Sequence, residues 1–200
     1  MNRPHIGIAL VAFLSVIGGC SFADRVADAP SVARPESELD VLKRQYVRAL
    51  EVPYPADNPY SEEKRLLGQA LFFDPRLSKT GTLSCASCHN PALGWQDGLA
   101  LGQGHKGNKL ARHSPTILNV AWAPALFWDG RADSLEAQAT GPMLADAEMG
   151  MTEQTVLTRV KATPGYKPMF AAAFPEKNIN LTTIAAAIAT YERTVVSERA

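Results

Sequence analysis

Apolar positions recur three and four residues apart in several separate stretches, which is the spacing of one buried helical face. From Glu36 to Leu50 the face carries Leu39, Leu42, Tyr46 and Leu50. Three prolines in "VPYPADNP" then break the chain, since proline lacks the amide that continues a helix. Ser61 followed by Glu62 and Glu63 is a helix start, and Leu66, Leu67, Ala70 and Leu71 form the stripe behind it. The periodicity returns at 153–162, near 166–173, and most clearly in Leu181, Ile184, Ile188, Tyr191 and Val195. This last helix is expected to run to Ala200, because no Gly, Pro or capping residue stops it; the chain is therefore expected to be cut short. Residues 74–150 are rich in Gly, Pro, Asp and Asn and show little periodicity. They predict long loops with short helices, and loops of that length are usually functional. No stretch alternates as a strand does and no internal repeat stands out, so the fold class is all-α.

The first twenty residues follow a different pattern. "MNRPHIGIALVAFLSVIGGC" has one Arg, an apolar run from Ile6 to Ile17, then Gly18, Gly19 and Cys20. About a dozen apolar residues are too few to cross a bilayer, which takes roughly 20, and match the apolar region of a secretory signal. Gly18 and Gly19 before Cys20 resemble a bacterial lipobox, which predicts a lipoprotein-type signal over 1–19, acylation of Cys20 and a periplasmic protein held by a lipid anchor. An ordinary cleaved signal with an incidental cysteine is the alternative. Residues 20–51 then read as a tether and leading helix, and 52–200 as the folded domain.

Composition narrows the partners. Twenty Lys and Arg balance twenty Asp and Glu, and no basic run stands out, so the electrostatic footprint of a nucleic-acid binder is missing. At 46% hydrophobic, 200 residues can bury a substantial core.

The chemistry concentrates in "GTLSCASCHNP". A C-x-x-C pair serves structural zinc, a redox dithiol or c-type haem. Zinc needs about four ligands, and only His89 stands beside Cys85 and Cys88. A redox dithiol belongs beside a βαβ pattern, which is missing here. In haem attachment the two thiols form thioethers and the adjacent histidine coordinates iron, all within one helical turn. The second axial position then decides between an electron carrier, which has it filled, and a catalyst, which can open it. His105, between Gly102, Gly104 and Gly107, stands in a loop able to swing it, and read alone is either a ligand or a solvated surface residue. Met143, Met149, Met151 and Met169 are rival ligands or core filling.

In order and spacing, "LGQALFFDPRLSKTGTLSCASCHNPALGWQDG", "GQGHKG", "SPTILNVAW", "FWDGRADSLEAQATGPM" and "EMGM" resemble the N-terminal, peroxidatic haem domain of the bacterial di-haem cytochrome c peroxidases and their MauG-type relatives, over roughly residues 50–200. The resemblance implies a cytochrome c-like haem domain with one haem c on Cys85, Cys88 and His89, and His105 as a distal ligand that leaves the iron on activation. It implies a second haem in a part of the protein beyond this chain, without which this chain alone is expected to be inactive, Trp128 between the two haems, and Gln138 and Glu148 as the polar pair of the peroxide pocket. The implied reaction is reduction of hydrogen peroxide to water with electrons from a small redox protein, a cytochrome c or a cupredoxin. The alternatives are a MauG-type oxidase modifying tryptophan in a partner protein, and a plain electron-transfer cytochrome. A homodimer is a further open expectation. One departure stands out: where the family carries an asparagine of a calcium site, this chain reads "RHSP". His113 offers nitrogen where calcium prefers oxygen, which leaves calcium in doubt, although the backbone carbonyl of His113 could still serve.

Overall fold

The computed structural model describes residues 37–45, 47 and 51–198. The signal, Cys20 and most of the tether lie outside the described residues. Helix α1 (Glu38–Gln45) belongs to a unit of its own that ends at Val47. Glu38 and Asp40 in its first turn and Lys43 and Arg44 in its last suit the helix dipole. Leu39 and Leu42, expected on a buried face, are exposed; Tyr46 and Leu50 lie outside the described residues.

The second unit contains α2 (Glu62–Phe72), a single turn α3 (Cys85–Cys88), α4 (Leu135–Leu144), α5 (Glu153–Ala162), α6 (Tyr166–Ala173) and α7 (Leu181–Glu192), joined by loops and short 3₁₀ turns. Among the described residues there is no strand beyond three isolated bridges. Ser61 caps α2 as expected, its hydroxyl accepting from the Lys64 amide. The stripe behind it is displaced by one position. Leu67, Leu71 and Phe72 are fully buried while Leu66 is exposed, because α2 turns Gly68 onto α7. A Cβ on Gly68 would stand 1.9 Å from the Ala187 carbonyl oxygen, so only a glycine permits that crossing.

α7 packs on α2 and α4, and α6 on α2. Phe72, Trp95 and Tyr191 form an aromatic cluster where α2 meets α7, with ring centroids 5.3–6.4 Å apart. Burying a side chain such as Phe72 or Ile188 contributes roughly 1.5–3 kcal/mol. Met143, Met149 and Met151 are core residues too.

α7 ends at Glu192, short of the expected run to Ala200. The residues after it find better partners elsewhere. Asn119 donates its amide to the Val195 carbonyl (2.8 Å) and accepts the Ser197 amide on its side chain (2.9 Å). Arg193 turns to Glu136 of α4 in a two-pronged ion pair (2.7 and 2.9 Å). No helix among the described residues is long and apolar enough to cross a membrane.

Candidate active site

α3 is one turn, and its two cysteines with the following His89 face a cavity of about 590 Å³, well within the range of sites that enclose a small molecule. Neither thiol is in a disulfide, and burial raises the pKa of both. Burial also lowers that of His89, so its ring is neutral, the form that binds a metal. His89 Nδ1 lies 3.3 Å from the Trp95 carbonyl. We assign the proton to Nδ1, which donates to that carbonyl and leaves Nε2 free as a ligand. The loop reaches this position through two consecutive left-handed residues, Gly94 (φ +69°) and Trp95 (φ +64°). For a tryptophan that conformation is strained and held in place by its surroundings.

One wall of the cavity is α4. Leu135, Gln138, Ala139, Pro142 and Met143 line it at the three- and four-residue spacing of a single helical face. Gln138 is the polar member of that stripe. α4 was hidden in the sequence by its small residues and by Pro142.

A tight turn follows α4 and brings Glu148 to the same cavity. The Glu148 amide donates to the Ala145 carbonyl, and its own carbonyl accepts from the His105 amide at 2.7 Å. The turn also packs on Gly104, where a Cβ would lie 1.8 Å from the Ala147 carbonyl oxygen. The glycine before His105 thus serves close approach at least as much as loop freedom. Burial raises the pKa of the Glu148 carboxyl against the opposing pull of Arg131. Arg131 also lines the cavity, its guanidinium 3.5 Å from the centre of the Phe127 ring.

His105 is buried, at 4% exposure, but does not line the cavity. Its Nε2 is 2.6 Å from the Asp146 carbonyl, and its Nδ1 has no partner. Gly150 makes room for the ring, since a Cβ there would stand 2.7 Å from Nε2. Trp128 stands at the rim and is 62% exposed; it is not the buried anchor an aromatic residue usually makes. Its indole N–H donates to the His113 carbonyl at 2.9 Å. His113 turns Nδ1 to the Leu99 carbonyl, so its ring and the oxygen expected to remain for calcium are both engaged. Among the described residues no group of three or more His, Cys, Asp and Glu is placed to hold a metal ion.

Sequence reasoning missed Glu192. It falls four residues after Ile188 on the buried stripe of α7, lines the cavity and is 4% exposed. Its Oε2 has no hydrogen-bond partner, and burial pushes its pKa up to about 8. Arg193 opposes that rise while Glu136 adds to it. A carboxylate four residues after an isoleucine of a core face was the available signal.

A sequence profile described as di-haem cytochrome c peroxidase matches residues 62–200. The chain belongs to the di-haem cytochrome c peroxidase family. It is 46% identical over 195 residues to the methylamine utilization protein MauG of Methylorubrum extorquens, covering 96% of this chain and 55% of that protein. To the cytochrome c551 peroxidase of Pseudomonas aeruginosa it is 41% identical over 175 residues, 84% of this chain and 50% of the other. The chain spans about half the length of these curated relatives. Among solved structures, a MauG-like protein associated with microbial copper homeostasis matches with a TM-score of 0.67 at 39% identity, over 72% of this chain and 43% of the other. The fold is thus the all-α, cytochrome c-like one of the di-haem peroxidases, a family whose cofactors are haems c. The residues here fit such a group: two free thiols, a neutral imidazole with one nitrogen unspent, and apolar walls share one cavity.

Proposed function

We propose that this chain is the peroxidatic haem domain of an enzyme that reduces hydrogen peroxide to water with electrons from a small redox protein, a cytochrome c or a cupredoxin. Cys85 and Cys88 would hold the haem, each thiol adding across a vinyl group to form a thioether, and His89 Nε2 would ligate its iron. The haem, when bound, supplies an iron that takes a peroxide oxygen and exchanges electrons. Gln138 hydrogen-bonds and orients the peroxide without titrating. Glu148 would take a proton from one oxygen of the peroxide and return it to the oxygen that leaves as water. His105 would serve as a second, displaceable ligand of the haem iron once its contact with the Asp146 carbonyl is released, and Trp128, at the rim, would carry electrons from a second haem.

The observation that carries this reading is that Glu148 and Gln138, from two different elements, line the one cavity that Cys85, Cys88 and His89 also face. Peroxide consumption by the full-length, haem-loaded protein with a reduced donor tests it. Glu148→Gln is expected to lose most turnover with an unchanged haem spectrum; full turnover in that variant would remove Glu148 from the mechanism.

A second reading is a MauG-type oxidase acting on tryptophan in a partner protein, favoured by the 46% identity to a protein of that name. Mass spectrometry of a partner after peroxide treatment discriminates: oxidised tryptophan without added donor supports the oxidase. A plain electron-transfer cytochrome with His105 permanently bound is the third reading; an EPR titration showing a low-spin haem that never opens would support it against both enzyme readings. The export signal, the lipid anchor on Cys20 and the periplasmic location belong to the same proposal; fractionation and lipid labelling against Cys20→Ala test them.

A further inference from the structure

The proposed peroxide chemistry uses one side of the cavity and leaves Glu192 on the α7 side without a task. A carboxyl with an unpartnered oxygen in a protein interior is costly in either form, and much more so when ionised. Its charged neighbours do not settle it. Arg193 and Glu136 are paired with each other, so the guanidinium nearest in sequence is already neutralised. From α3 the neighbour is the Cys85 thiol, close enough for the two groups to interact electrostatically. Elsewhere the cavity is lined by the charged Glu148, Arg131, Arg112 and Lys109 and by the imidazoles of His89 and His113. An occupant held on Cys85 would bring a further charge beside this carboxyl. A ferric haem core carries a net positive charge and a ferrous core none, so the carboxylate is favoured beside the first and the neutral acid beside the second.

We propose that Glu192 is the proton site coupled to the electron of the haem held on Cys85 and Cys88: when the iron gains one electron, Glu192 gains one proton from solvent, and both are given up together on oxidation. The electron comes from the one-electron donor of the reaction and the proton goes to the carboxylate, so the cavity's net charge does not change. Reducing one peroxide to two waters consumes two electrons and two protons, and Glu192 brings one proton into the cavity with an electron. Burial, which pushes the Glu192 carboxyl up to about 8 from an ordinary 4.5, supports the assignment. The inference rests on the haem reading above.

Spectroelectrochemical titration of the haem-loaded protein over a range of pH tests it, with haem content read first by absorption. In the wild type the midpoint potential is expected to fall by up to about 59 mV for each tenfold drop in proton concentration. Glu192→Gln, which cannot titrate, is expected to remove that slope, and Glu192→Asp to keep it at a displaced pH. Equal slopes in wild type and Glu192→Gln, or a flat wild type with haem bound, overturn the proposal. Should Glu192→Gln fail to take up haem, the infrared difference between reduced and oxidised wild type decides. A carboxylic-acid C=O band gained on reduction and moved in Glu192→Asp supports the coupling, and its absence overturns it. A wild-type chain that binds no haem at Cys85 and Cys88 overturns the haem reading itself, and this inference with it.

Discussion

Replacing Gly104 by alanine probes how tightly the position of Glu148 is set. Gly104 has φ −91°, a conformation open to any residue, so the backbone itself does not resist the change. The obstacle is steric: the new methyl would lie 1.8 Å from the Ala147 carbonyl oxygen and 3.0 Å from the Glu148 Cα. To restore ordinary contact, the Gly104 loop and the Glu148 turn must part by about 1.5 Å. A misplacement of about 1 Å in a catalytic group costs on the order of 100-fold in rate. We therefore expect Gly104→Ala to lower kcat for peroxide by about 100-fold, with haem content and spectrum retained because Cys85, Cys88 and His89 are untouched. Gly165→Ala is the control: φ is −66° and nothing lies within 4 Å of the new methyl. The assay is peroxide consumption with a reduced donor, normalised to haem. Turnover in Gly104→Ala equal to that of Gly165→Ala would refute the claim that this contact positions Glu148.

Gly68→Ala forces α2 off α7 and is expected to destabilise the domain by about 1–3 kcal/mol or more, read by urea denaturation; wild-type stability would mean the helices do not cross there. Asp74 is buried, and although burial pushes its pKa up, hydrogen bonds from Arg76 and Tyr166 hold it below the ordinary 3.8. It therefore contributes stability above that value and loses it as pH falls through the lowered one. Asp74→Asn is expected to cost about 1.5–3 kcal/mol at neutral pH, with the gap to wild type closing in acid. A gap that does not change with pH would remove ionised Asp74 as the cause.

The helices legible in the sequence are those whose faces are built from large apolar residues. α5 and α6 fall where the periodicity places them, and Ser61 starts α2. α4 was not legible, since Ala137, Ala139, Thr140 and Gly141 make a weak stripe and Pro142 reads as a breaker. The expected burial of Leu66 failed because Gly68, the least hydrophobic residue on that side, is where another helix comes nearest. α7 stops early because Asn119, more than seventy residues away, supplies better partners for Val195 and Ser197. Within the candidate site, Cys85, Cys88 and His89 announced themselves through local spacing, while Gln138 and Glu148 were legible only through resemblance. Glu192 lay in plain view on a core face, and its meaning depended on a cavity that no local pattern describes.

The aim of His89 is set by a main-chain oxygen, that of Trp95. An acceptor on a side chain can be deleted by a single codon change, whereas a peptide carbonyl survives every substitution that leaves the path of the loop intact. That path is guarded by two consecutive left-handed residues, so the residues most able to disturb the imidazole are Gly94 and Trp95, neither of which is a ligand in the proposal. Sequence drift can repaint the surface of this loop freely, and inheritance of the ligand's orientation depends on backbone shape, not on chemical identity.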